Sequence, residues 1–152
     1  MAYKTIILKG DPVREEGLAS GAITPGMLCE ITNAAADTYK AHASAGGEHE
    51  KCFAIEDELQ GNGIATAYSN GNQVLLGIFR PGEQVFALIE DGEDVSKGDK
   101  LESAGNGKLR ILRADSSAII LESSVVAYAM EACDMSDSSS VDPSGRCRVR
   151  VA

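Results

Sequence analysis

The stretch Arg80–Arg110, RPGEQVFALIEDGEDVSKGDKLESAGNGKLR, carries the clearest structural signal in the chain. Pro81-Gly82, Asp91-Gly92, Gly98-Asp99 and Asn106-Gly107 stand where a chain reverses, and the residues between them alternate apolar with polar, which is the pattern of short antiparallel strands. Val85, Ala87 and Ile89 fall on one face of such a strand and Phe86 and Leu88 on the other, so this strand packs on both sides. Asp91-Gly92 then turns the chain into an acidic segment whose inward anchors are Val95 and Leu101. The stretch reads as wall, acidic rim, wall.

The same punctuation recurs outward from it. Strands are expected at Lys4–Leu8, Met27–Thr32, Thr38–Ala43, Lys51–Glu56, Gln73–Phe79, Glu83–Ile89, Lys108–Leu112, Ile119–Leu121, Val125–Cys133 and Cys147–Val151. Only Ile64–Tyr68, after Gly61-Asn62-Gly63, reads as a single helical turn. So many short strands in 152 residues mean one all-β barrel or sandwich, and a chain of this length buries about 70% of its unfolded surface without needing staples. Aromatic residues make up 5% and Trp is absent, so a core of Val, Ile, Leu, Ala and Met implies a narrow barrel.

Residues 9–26, KGDPVREEGLASGAITPG, show neither the strand nor the helix period and are rich in Gly, Pro and charge. They read either as a solvated linker or as an arm that orders along a partner, with Lys4–Leu8 in front free to add to a neighbour's sheet edge.

The net charge of −9 is concentrated: residues 48–102 carry twelve acids against four bases, and the rest of the chain is nearly balanced. Such a face repels phosphate backbones, which argues against direct nucleic-acid binding. No run of 18 apolar residues and no secretory leader pattern occurs, so a soluble protein made in the cytoplasm, with no membrane partner, is expected. Cys29, Cys52, Cys133 and Cys147 each sit in an apolar run with no C-x-x-C pair, where a free cysteine behaves as a small hydrophobe; buried thiols are expected.

Catalytic scaffolds are missing: no G-x-S-x-G elbow, Walker loop, dinucleotide glycine pattern or H-E-x-x-H occurs. His42, His49 and Cys52 fit no zinc spacing. Glu56-Asp57-Glu58 and Glu90-Asp91 are neighbours on an extended chain and point apart, which suits a solvated rim better than an acid–base pair. Asp134, Asp137 and Asp142 lack the glycine turn of a calcium loop. No enzyme activity, cofactor or metal is expected. Arg146, Arg148 and Arg150 alternate with Cys147, Val149 and Val151, so a strand here turns three guanidinium groups outward, either as a solvated outer face or as a basic stripe that pairs with the acidic middle of a neighbouring copy.

The order and spacing of Phe53-Ala54-Ile55-Glu56-Asp57, Gly61, Ala67-Tyr68, Gly71, Gln73-Val74, Arg80-Pro81-Gly82-Glu83, Asp91-Gly92, Gly98-Asp99, Leu101-Glu102-Ser103, Gly105-Asn106-Gly107, Leu109-Arg110, Ala129, Glu131-Ala132 and Gly145-Arg146 resemble the capsid cement, or decoration, proteins of tailed bacteriophages. The resemblance covers about residues 23–151 and implies a compact β-barrel of the β-tulip type over residues 23–152. An extended N-terminal arm, residues 1–22, precedes it. It further implies a head-stabilising protein on the outer capsid surface of the virion, bound at local symmetry axes and bracing neighbouring capsomers, with the major capsid protein as partner. Unpaired strand edges add self-association, a homotrimer before a dimer. Lys4, Ile6, Leu8, Lys9 and Arg14 in the arm, with Arg146, Arg148 and Arg150, are the candidate capsid or subunit contacts. The alternative function is a carbohydrate- or cell-surface-binding β module displayed on a virion or secreted, although only Tyr3, Tyr39, Tyr68 and Tyr128 are available to stack on a sugar.

Overall fold

A computed structural model describes residues 3–114, 117–136 and 145–152, and the chain is all-β among them. Strands β1 (Ile7–Lys9), β2 (Val13–Ala19), β3 (Cys29–Asn33), β4 (Thr38–Ala41), β5 (Cys52–Ala54), β6 (Gln73–Ile78) and β7 (Gln84–Leu88) make up the first half. Strands β8 (Asp94–Val95), β9 (Lys100–Ser103), β10 (Leu109–Ile111), β11 (Ala127–Ala129), β12 (Cys133–Asp134) and β13 (Arg146–Val151) follow. They form a six-stranded sheet of order β1-β7-β13-β11-β9-β10, a five-stranded sheet of order β3-β4-β2-β6-β5, and the pair β12-β8.

The arrangement is sandwich-like, with open sheets where the sequence suggests a closed barrel. The five-stranded sheet curls until its edge strands touch at one bridge, Leu28 to Phe53, without completing a ladder. A second buried cluster belongs to this sheet: Ala19, Cys29, Tyr39, Cys52, Ala54, Val74 and Leu76 from its strands, with Ile23 and Tyr68 beside them. The main core is built around Phe53, Phe79, Val85, Phe86, Leu101, Leu109 and Val149, with Phe53 and Phe79 in edge-to-face contact at 5.7 Å. Strand β7 is buried along its whole length on both faces, as its sequence requires. Val85 and Ala87 pair with Val149 and Cys147 on one face, while Phe86 meets the edge of the Tyr3 ring on the other. Gly26 (φ +95) lets the chain run against β7, where a Cβ would stand 2.8 Å from the Phe86 carbonyl oxygen.

Three expectations about individual segments are also corrected. The segment expected as a loose arm over residues 1–22 is built into the sheets. β1 pairs with β7, and β2, the longest strand among the described residues, lies between β4 and β6. Backbone pairing on both sides, rather than side-chain pattern, makes VREEGLA a strand: it buries only Ala19 fully, while its other residues are exposed or half-buried. Gly17 is obligatory there, since a Cβ would lie 2.5 Å from the Asp37 carbonyl oxygen. Ile64–Tyr68 is not a helical turn, because Tyr68 bridges to Ile23; short 3-10 turns occur instead at Ala34–Ala36, Glu58–Gln60 and Glu122–Ser124. Ile119–Leu121 is an exposed loop leading into the last of these turns rather than a strand.

Cys133 and Cys147 form a disulfide with Cα atoms 6.0 Å apart, in place of two buried thiols, because the starts of β12 and β13 lie close together. Cys29 and Cys52 are buried thiols. Burial pushes both thiols up, Cys52 to about 12, with the neighbouring acids adding to the effect.

Candidate interaction surface

The register of the six-stranded sheet gathers basic residues that are far apart in sequence. Lys9 of β1 lies opposite Gln84 of β7, Gln84 opposite Arg150 of β13, Arg150 opposite Tyr128 of β11, and Tyr128 opposite Lys100 of β9. Directly opposed residues project to the same side of a sheet, so Gln84, Arg150, Tyr128 and Lys100 make one row across four strands, about 14 Å long at the usual strand spacing, and Lys9 flanks its β1 end, where the β1–β7 register shifts between Ile7 and Lys9. Arg148 stands beside the row, opposite Phe86. In a chain with net charge −9, this is a concentrated cationic band.

Its members hold one another in place. The Arg150 guanidinium sits 5.9 Å from the centre of the Tyr128 ring. Lys100 donates to both Glu122 carboxylate oxygens, at 2.8 and 3.1 Å, and that hydrogen bond raises its pKa. The Arg148 backbone N–H donates to Glu131 Oε1 at 2.9 Å and its Nη2 to the Met130 carbonyl at 3.2 Å. Gln84 is 9% exposed, and its Oε1, like Arg148 Nε, has no hydrogen-bond partner among the described residues.

Of the contacts expected from sequence, Lys9, Arg148 and Arg150 thus come together. Arg146 does not join them: it is 3% exposed and turns inward, donating from Nε and Nη2 to the Pro25 carbonyl and from Nη2 to the Ile64 carbonyl. Strict alternation put it outside, but the loops around Pro25 and Ile64 cover that end of β13. Ile6 is likewise buried, its N–H donating to Glu56 Oε2 at 3.0 Å. Lys4 is exposed and Leu8 half-buried, and Arg14 lines an open cleft of about 500 Å³ with Glu56 and Glu58. Sequence reasoning missed Gln84, Tyr128 and Lys100; only the register reveals them.

The titratable clusters elsewhere are tied into the fold. Ser103 Oγ lies 2.6 Å from His42 Nδ1, and His42 Nε2 donates to the Glu48 carbonyl at 2.9 Å with Glu30 Oε2 at 3.6 Å. This combination has the outline of a nucleophile and its base, but Ser103 is 0% exposed and His42 1%. Lys51 Nζ donates to His49 Nε2 at 2.8 Å and to the Val125 carbonyl, and burial lowers the pKa of both side chains. Asp57 caps the turn at Glu58–Gln60, and Asp134 accepts from Ser136, which holds its carboxyl below the usual range. Glu131 lies within 4.8 Å of the Cys133 and Cys147 sulfurs, which are bonded to each other. Asp137 and Asp142 lie outside the described residues. No helix among the described residues is long and apolar enough to cross a membrane.

Neither a family model nor a curated protein sequence matches the chain. A solved structure does. The N base of head fiber gp8.5 in bacteriophage phi29 superposes with a TM-score of 0.59 over 92% of this chain and 93% of that one, at 11% identity. At that identity the likeness is one of fold: the same all-β architecture carried on a different set of side chains.

Proposed function

We propose that this chain is a structural cement, or decoration, protein that binds the outside of an icosahedral phage head through the major capsid protein and braces neighbouring capsomers. The observation that carries the reading is the whole-chain fold likeness to a head fiber base of a phage, added to the ordered set of residues between positions 23 and 151 that resembles the cement proteins. The curled five-stranded sheet, with its edges meeting at Leu28 and Phe53, supports the β-tulip description. A shell under internal pressure needs clamps that touch two or more subunits, and several weak patches engaged at once give durable attachment. Lys4, Lys9, Arg14, Arg148 and Arg150 remain the candidate contacts, and three copies around a local axis the favoured assembly. The role asks for no catalysis, and the sealed Ser103–His42 pair supports a non-enzymatic reading. The test is co-sedimentation with expanded and precursor heads built from the major capsid protein of the same genome. Saturable binding to expanded heads is expected, and a protein that stays in the supernatant with both would end the proposal.

A further inference from the structure

We propose that the cationic row receives the acidic turn Asp91–Asp94 of a second copy of this chain, giving a head-to-tail contact between copies. Strand β7 starts in the row at Gln84, and the chain leaves its far end through Ile89 and Glu90 into Asp91-Gly92-Glu93-Asp94. The basic and acidic patches therefore stand about 20 Å apart at opposite ends of one strand, at the usual rise per residue. They cannot pair within one molecule. Each is complementary to the other patch on a neighbour.

The acids offered are the exposed ones. Asp94 is exposed, and the Asp91 side chain is 91% exposed with Lys108 Nζ at 3.2 Å. Glu93, in contrast, is buried, accepting from the Ile111 N–H and pairing with Arg113, so it anchors the turn from within. On the receiving side, Lys9 and Arg150 are exposed, while Lys100 is already engaged by Glu122. Because the two patches differ, the contact is heterologous and builds rings or open chains rather than two-fold dimers. It does not rest on attachment to a phage head and is read in solution without one.

Sedimentation velocity on the full chain tests it. Self-association is expected at about 20 mM salt and should weaken at least tenfold near 0.5 M, where exposed charges are screened. Arg150→Glu and Asp94→Lys should each weaken association about tenfold or more while melting as the wild type does; Lys9→Glu replaces Arg150→Glu if that variant fails to fold. Mixing Arg150→Glu with Asp94→Lys should recover a one-to-one complex, since one partner keeps the turn and the other the row. A wild type that stays monomeric at about 100 μM in low salt, charge reversals without effect, or a mixture that stays monomeric overturns the proposal. A monomer that binds heads and loses them on Arg150→Glu also overturns it, assigning the row to the capsid.

Discussion

Deleting residues 1–22 is expected to abolish folding rather than to remove a dispensable arm. The truncation takes out β2, which pairs at six positions with β6 and at two with β4, and so splits the five-stranded sheet down its middle. At about 1 kcal/mol net for each ladder hydrogen bond, the lost pairing is worth about 8 kcal/mol. Removing the fully buried Ile6 adds about 2–3 kcal/mol of lost apolar burial. The sum approaches the whole stability of an ordinary domain, about 5–15 kcal/mol. Circular dichroism and urea titration are the assay: full-length protein should unfold in one cooperative transition, and the truncated chain should show none. A truncated protein that melts cooperatively within a few degrees of the full chain would refute the assignment of β2 to the centre of the sheet.

Three further outcomes follow from the same geometry. Cys133→Ser, or reduction, should lower stability by about 3 kcal/mol for a closed loop of this length, read as a shift in urea midpoint; an unchanged midpoint would show that the bridge does not constrain the chain. Cys29 and Cys52 should resist a thiol reagent until the protein unfolds. Because the folded state keeps protons that the unfolded chain gives up from an ordinary value of 9.0, their contribution to stability is complete below that pH and declines as pH rises above it. Rapid labelling of native protein at neutral pH would contradict their burial. His49 works in the opposite direction: its base form is favoured on folding, so stability should fall as pH drops below 6.5 and flatten beneath the folded value. His49→Gln should reduce that slope, and a variant with the wild-type pH profile would show that another group sets it.

What the sequence disclosed and what it concealed divide along physical lines. β7 and β6 were legible because their apolar residues are dense and their turns are marked by Pro81-Gly82 and Asn72 beside Gly71. β2 was concealed: Arg14, Glu15, Glu16 and Gly17 carry little strand preference of their own, and the segment is ordered by partners that follow it in sequence, at positions 38–39 and 73–78. The outward stripe on β13 was right for Arg150 and wrong for Arg146, since alternation assigns a side but cannot say whether a distant loop covers it. Pairing of Cys133 with Cys147 depends on β12 and β13 starting close together, which no spacing announces. The cationic row is the extreme case: Lys9, Gln84, Lys100, Tyr128 and Arg150 become neighbours only through the register of four ladders.

The proposed attachment to the outside of a phage head would be visible in an electron cryomicroscopy map of expanded heads incubated with saturating protein. Added density is expected on the outer surface at recurring capsomer junctions, of a size and shape that accept the two packed sheets. Heads that remain bare after saturating incubation would contradict it.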